Sequence, residues 1–125
     1  MADRNFDFIQ TLGKGRKIIA GSFLPNGASA IVADPLWLGY SVARSGVGSY
    51  TITLTDSYVA LISLSCSLQL NAVADLKLQW GAIDVVTAKT LVLNALAVAT
   101  PTEIASNANN RIYFTLFLRN TTVTP

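Results

Sequence analysis

The sequence predicts an all-β protein: a single-domain antiparallel β-sandwich of jelly-roll-like type that begins with a short N-terminal arm. Apolar and polar residues alternate with a period of two in several segments, and no segment has a sustained apolar period of 3.6 residues. Turn-forming glycine, proline and asparagine fall between these segments. A length of 125 residues suits one domain. We therefore assign residues 1–15 to the arm and residues 16–125 to the sandwich.

The first predicted strand covers residues 16–23. The tripeptide Pro25-Asn26-Gly27 predicts a turn after it, because proline restricts φ while asparagine and glycine tolerate positive φ. A short strand is expected over residues 28–32. It should end before Asp34-Pro35, which interrupts strand pairing.

The segment that follows has the pattern of a β-hairpin. Its arms, residues 40–44 and 49–54, are joined by Ser45-Gly46-Val47-Gly48, and the two glycines permit backbone angles that other residues resist. In the second arm the apolar residues share one face and the threonines share the other. This alternation is typical of a half-buried strand.

Two later segments alternate most regularly. Over residues 62–70, Ile, Leu and Cys alternate with Ser and Gln, so that a register slip of one residue would expose the whole apolar row. Residues 76–82 repeat the pattern, and residues 84–89 form a connection. Residues 56–60 are predicted to be either one helical turn or a corner between two sheets.

The last two predicted strands, residues 90–98 and 111–119, are apolar on both faces. Strands of this kind are covered on both sides. In a small sandwich only one face of a strand meets the core, so we expect the other face to contact a neighbouring subunit. The Asn-rich residues 101–110 between them form a polar connection with room for one helical turn.

Charge is scarce in this chain. It has nine basic and seven acidic residues, a mean hydropathy of +0.45 and 51% hydrophobic residues, whereas charged residues make up about a quarter of an ordinary domain. No uninterrupted window of about 18 apolar residues exists to span a membrane, and residues 1–8 lack the pattern of a signal peptide. We therefore expect a cytoplasmic product whose apolar surface is covered by other subunits.

Little in the composition supports catalysis. The chain has no histidine, which removes His-dependent triads and histidine metal ligands. Cys66 is the only cysteine, so neither an intrachain disulfide nor a multi-cysteine metal site can form, and we interpret it as a small buried apolar residue. The seven acidic residues have no metal-loop spacing, although the fold could still assemble a carboxylate pair. We predict a protein that is not an enzyme and uses no metal or cofactor.

Two short segments have alternative interpretations. Residues 13–17 lack the spacing of a phosphate-binding loop, so we expect either a basic hinge or a basic cluster that contacts an acidic partner or lies beside packaged nucleic acid. The arm that holds Phe6, Phe8 and Ile9 either pairs within its own subunit or extends onto a neighbour. The aromatic residues Trp37 and Tyr40 belong either to the core or to an interface.

Four segments carry a resemblance to a known group of proteins: MADRNF at residues 1–6, IAGSFLPNG at 19–27, VARSGVGSYTIT at 42–53, and the stretch from NNRI to LRN at 109–120. Over most of its length the chain resembles small virion proteins of tailed bacteriophages.

The resemblance implies a capsid decoration, or cement, protein. Such a protein is a small β-rich subunit, often trimeric, that binds the outside of the shell where major capsid proteins meet. It implies synthesis in the host cytoplasm and a final position on the virion surface, with no membrane partner and no direct nucleic-acid binding. Candidate trimer contacts are Val98, Tyr113 and Phe117. Candidate capsid contacts are Phe6, Phe8, Ile9, Lys14, Arg16 and Lys17.

Two other functions stay open from the sequence. A trimeric tail-fibre or spike adhesin could stack Trp37 and Trp80 on host sugars. The other is a small enzyme or a nucleic-acid binder with an open β-barrel. In the nucleic-acid binder, aromatic residues would stack on bases beside a basic groove.

Overall fold

The structure is a computed structural model that describes residues 15–119. This part of the chain forms eight β-strands and no helix, which confirms the all-β prediction. The strands are β1 (Arg16–Phe23), β2 (Tyr40–Gly46), β3 (Ser49–Leu54), β4 (Ala60–Gln69), β5 (Lys77–Asp84), β6 (Thr90–Ala97), β7 (Thr100–Pro101) and β8 (Arg111–Arg119). None of these elements is a helix that could cross a membrane.

Two antiparallel sheets pack face to face, as predicted for a sandwich. The first sheet has the order β1-β8-β4, and the second has the order β2-β3-β6-β5, with the short β7 paired to β6. Only β2–β3, β5–β6 and β6–β7 are pairs of consecutive strands. The first sheet therefore depends on pairing between strands that lie far apart in the sequence.

The core lies between the two sheets and follows from the alternation in sequence. From the first sheet, β8 contributes Ile112, Phe114, Leu116 and Leu118, all of them buried. From the second sheet, β3 and β6 contribute Tyr50, Ile52, Leu54, Leu91, Leu93 and Ala95. Each fully buried large apolar side chain contributes roughly 2 kcal/mol of transfer free energy.

The connection from β1 to β2 differs from the prediction, because residues 28–32 do not form a strand. A turn forms there instead. The Ser29 N–H donates to the Asn26 carbonyl at 3.0 Å, and the Asn26 side-chain amide donates to the Ala30 carbonyl at 2.9 Å. Local hydrogen bonds of this kind compete with strand pairing. Residues 24–39 are therefore a long loop.

This loop is attached to β1 by aromatic residues. The Trp37 indole N–H donates to the Ser22 carbonyl at 2.9 Å, and the Tyr40 hydroxyl accepts from the Ser22 N–H at 3.1 Å. The Tyr40 ring lies over Gly21, where any larger residue would collide with it, and meets the Phe114 ring edge-on at 5.0 Å. Trp37 and Tyr40 thus join the two sheets at this edge, with Tyr40 in the core.

A second junction lies between β3 and β4, where the sequence left open a helical turn or a corner. Residues 56–60 form the corner: the Tyr58 N–H donates to the Val85 carbonyl at 2.9 Å, and the Val59 N–H donates to the Arg119 carbonyl at 2.8 Å. The two bonds link this segment to both sheets. They also place the start of β4 beside the end of β5.

Candidate interaction surfaces

The most distinctive exposed surface is the outer face of the first sheet. Tyr113 and Phe117 lie there on β8, with exposed fractions of 42% and 40%. The register sets the small side chains of Ser22 and Ser67 on either side of Tyr113, whereas Phe117 lies between Ile18 and Ser63. We call this surface the outer aromatic face; it comprises Ile18, Ala20, Ser22, Ser63, Ser65, Ser67, Tyr113, Thr115 and Phe117.

Basic side chains border the outer aromatic face at both ends. Arg16 and Arg119 lie opposite each other in the pairing of β1 with β8. Arg111 lies at the other end and donates to the Ser22 hydroxyl at 2.8 Å. The outward positions of β1, β4 and β8 include no acidic residue. Arg16 and Arg111 add positive charge at the two ends of the face, so this face is suited to an acidic surface.

The structure brings together some of the predicted contact residues and separates others. Tyr113 and Phe117 share the outer aromatic face, whereas Val98 lies in the turn between β6 and β7 of the second sheet. Arg16 and Lys17 are exposed at the start of β1. The remaining predicted capsid contacts, Phe6, Phe8, Ile9 and Lys14, lie outside the described residues.

The long loop presents an apolar patch that the sequence analysis missed. Val32, Leu36 and Leu38 are each at least three-quarters exposed. Beside them, Trp37 forms one wall of a cavity of about 200 Å³ that also includes Asp34. The sequence feature that could have predicted this patch is an apolar run inside a loop rich in proline and glycine. A loop of this kind cannot direct every large side chain of the run into the core. This patch lies on the β1 side of the molecule.

One ion pair attaches the segment after β7 to the β2–β3 hairpin. The Arg44 guanidinium binds the Glu103 carboxylate, with its Nε at 3.0 Å from Oε2, and the Gly48 N–H donates to Oε1 at 2.9 Å. The hydrogen bond from Arg44, with a smaller contribution from Gly48, holds the pKa of Glu103 below its usual range. Ile104, the next residue, is buried, so the carboxylate helps to fix the end of the core.

The lowered pKa of Glu103 predicts a dependence of stability on acid. The unfolded chain takes up this proton at about pH 4.3, before the folded chain does, so the contribution is complete above that pH and is lost as pH falls through the folded-state pKa. We expect the wild-type urea midpoint to fall more between about pH 6 and about pH 3 than that of Glu103→Gln. The double variant Arg44→Gln with Glu103→Gln should show the same change of urea midpoint with pH as Glu103→Gln alone. If the urea midpoint fell equally with pH in wild type and in Glu103→Gln, the lowered pKa of Glu103 would be contradicted.

Side chains that could support catalysis or bind a metal are sparse among residues 15–119. Within residues 15–119, no three His, Cys, Asp or Glu side chains come close enough together to hold a metal ion. Cys66 is half-buried on β4, and burial raises the pKa of its thiol, with the Trp80 side chain acting in the opposite direction.

Comparison with known proteins gives no relative: the chain matches no protein-family model, no curated protein and no solved structure.

Proposed function

We propose that this chain is a non-enzymatic structural protein of a virion, a decoration subunit that binds the outside of the capsid and associates as a homotrimer. One observation carries the proposal. The outer aromatic face exposes two large rings among mostly small side chains and Ile18, with arginines at its margins and no acidic residue on its three strands.

These features suit binding to a protein surface. Tyrosine and phenylalanine provide large contact areas at a low cost in side-chain entropy, and aromatic residues are enriched where interfaces are fully desolvated. The serines and alanine beside them let a flat surface approach the sheet closely. The bordering arginines would direct an acidic partner, here the major capsid protein, towards the face. In this proposal Tyr113 and Phe117, expected from the sequence to be trimer contacts, therefore have a role in the shell contact as well.

The expected activity is stabilisation without chemistry. A subunit that binds the assembled shell and not its free components shifts the assembly equilibrium towards the shell by mass action. Three copies around a symmetry axis would use heterologous contacts that close on themselves. The scarcity of charge and the exposed apolar loop are consistent with a chain whose surface is largely covered in its working state.

We expect Tyr113→Asp combined with Phe117→Asp to weaken binding to the shell at least tenfold, because two carboxylates would be desolvated in the contact against an acidic surface. The measurement is co-sedimentation with shells of the source virus, together with the mass of the free protein by light scattering. The matched control is Thr53→Asp with Gln79→Asp, which adds the same charge to exposed outward positions of the second sheet.

The control should bind shells as wild type does, and the control and the Tyr113 and Phe117 variant should unfold at similar temperatures. Unchanged binding and unchanged mass in the Tyr113 and Phe117 variant would overturn the outer aromatic face as the contact surface. A wild-type protein that does not sediment with the shell at all would overturn the decoration role.

The structure offers less support for the adhesin alternative. A tryptophan that stacks on a sugar needs a free ring face, whereas Trp37 and Trp80 are both partly buried against the core. The Trp37 indole N–H is also occupied by the Ser22 carbonyl. Both side chains therefore contribute to packing, and we favour the virion role.

A further inference from the structure

The β4 strand is an unprotected edge of the first sheet. Among residues 15–119 it pairs with β8 alone, and residues 57–74, which include the whole strand, carry no charged side chain. Natural edge strands are usually blunted by lysine, proline or a bulge. The one irregularity in β4 lies between Leu61 and Ser63, so residues 63–69 are left straight and regularly paired to β8.

The core is also incompletely covered along this side of the sandwich. Leu64, Cys66 and Leu68 face inward from β4, yet they are only half-buried, whereas the inward residues of the neighbouring β8 are fully buried. On the opposing sheet the edge strand β5 contributes Leu78 and Trp80, which are half-buried as well. We call the β4 and β5 edges together the open side.

The sequence of β4 is self-complementary in antiparallel pairing. Residues 63–69 read Ser-Leu-Ser-Cys-Ser-Leu-Gln, which is nearly symmetric about Cys66. If two copies paired around a twofold axis at Cys66, each Leu64 would lie opposite Leu68 of the other copy and each Ser65 opposite Ser67. Apolar residues would then meet on the inner face and small hydroxyl residues on the outer face, and such cross-strand pairs stabilise a sheet.

The charges of the open side fit the same symmetry. The β5 strand runs antiparallel to β4, because Val85 just after β5 bonds to Tyr58 just before β4. Its two charged residues, Lys77 and Asp84, lie at opposite ends. A twofold axis through β4 reverses β5 as well, so the Lys77 end of each copy approaches the Asp84 end of the other. A parallel arrangement would bring like charges together.

We propose that two copies of this chain pair edge to edge through β4, around a twofold axis at Cys66, to form a continuous six-stranded sheet. The twofold contact is isologous, so it uses the same strand on both copies. It leaves the outer aromatic face free, and it would link neighbouring decoration subunits on a shell. The contact itself does not depend on the decoration role.

The size of the open side sets the expected strength of the contact. Seven paired residues extend for roughly 23 Å, and the sheets of a sandwich lie about 10 Å apart, which gives an area of several hundred Å² per copy. A standard stable interface buries about 800 Å² per partner. The pairing should therefore be reversible in dilute solution and should strengthen where subunits are concentrated on a surface.

Oxidation of Cys66 tests the register directly. Opposed residues of antiparallel strands have Cα atoms about 4.5 to 5.5 Å apart, which lies within the range of a disulfide. Diamide, which accepts the two electrons and two protons that the thiols lose, should convert the wild type into a covalent dimer of twice 13.3 kDa. The control is Cys66→Ser with Ser41→Cys, which moves the only thiol to an exposed position on β2, at the other side of the sandwich. It should cross-link at least tenfold more slowly.

A second variant tests the pairing without the thiol. Ser65→Lys with Ser67→Lys sets lysine against lysine twice in the proposed register, while in the single chain both side chains point to solvent. Sedimentation velocity at several concentrations should give this variant a dimer dissociation constant at least tenfold higher than that of wild type. The control, Ser41→Lys with Ala43→Lys on the exposed outer positions of β2, should associate as wild type does.

Several outcomes would overturn this proposal. One is cross-linking of the wild type that is no faster than that of the Ser41→Cys control. Another is a wild-type protein that stays monomeric at every concentration. The third is a Ser65→Lys and Ser67→Lys variant that dimerises as wild type does. A Ser65 and Ser67 variant that dimerises as wild type does but no longer binds shells would overturn the pairing and leave the decoration role standing, because both serines also lie on the outer aromatic face. Conversely, a dimer that forms in solution without binding shells would support the pairing and reject the decoration role.

Discussion

Replacement of Leu116 by alanine should lower the free energy of unfolding by about 4 kcal/mol. Leu116 is fully buried on β8, the central strand of the first sheet, which pairs with β1 on one side and β4 on the other. Truncation would leave a cavity that cannot close, since the backbone on both sides is fixed by strand pairing. Urea unfolding followed by tryptophan fluorescence measures the loss.

The matched control for this prediction is Leu36→Ala. Leu36 is 80% exposed in the long loop, so the same truncation should change the free energy of unfolding by less than about 0.5 kcal/mol. A loss below about 1 kcal/mol for Leu116→Ala would show that β8 is not at the centre of the core.

Replacement of Gly48 by alanine should cost about 3 kcal/mol, because two effects combine. Gly48 has φ of +60°, which is unfavourable for any residue with a side chain. An added Cβ would also lie 2.6 Å from the Thr102 backbone and 2.8 Å from the Ala95 carbonyl oxygen. These are backbone atoms held by pairing of β6, so they cannot move aside without breaking hydrogen bonds.

Gly46→Ala provides the comparison in the same hairpin. An added Cβ at Gly46 has no neighbour closer than 3.9 Å, so we expect a cost below about 1 kcal/mol. The measurement is the urea midpoint of both variants beside wild type. Similar midpoints for the two variants would contradict the close approach of residue 102 to the hairpin.

Much of the strand pattern could be predicted from sequence. The predicted strands over residues 16–23 and 111–119 coincide with β1 and β8, and the hairpin of β2 and β3 has its turn where the glycines are. These predictions were correct because alternation with a period of two is a local signal and every second side chain of these strands enters one core. The same signal identified Tyr113 and Phe117 as outward residues.

Other elements could not be predicted because they depend on contacts distant in sequence. The two-residue strand β7 is too short to show alternation, and it forms because Ala97 pairs with Thr100 across a tight turn at Val98. Residues 28–32 have the composition of a strand, but hydrogen bonds to Asn26 and from its side chain hold this backbone in a turn instead. The carboxylate of Glu103 finds its partner, Arg44, through the docking of the segment after β7 onto the hairpin.

By itself the sequence determined which side chains face the core and which chemistry the chain lacks. Alternation sets the inward row of each strand, and a chain without histidine and with one cysteine has few catalytic options. Only the tertiary structure decided the strand order, and with it the edge position of β4 beside the half-covered residues of β5. The physical reason is that a strand's side chains specify its faces, whereas its backbone can pair with any strand, so neighbours are chosen by the packing of the whole sandwich.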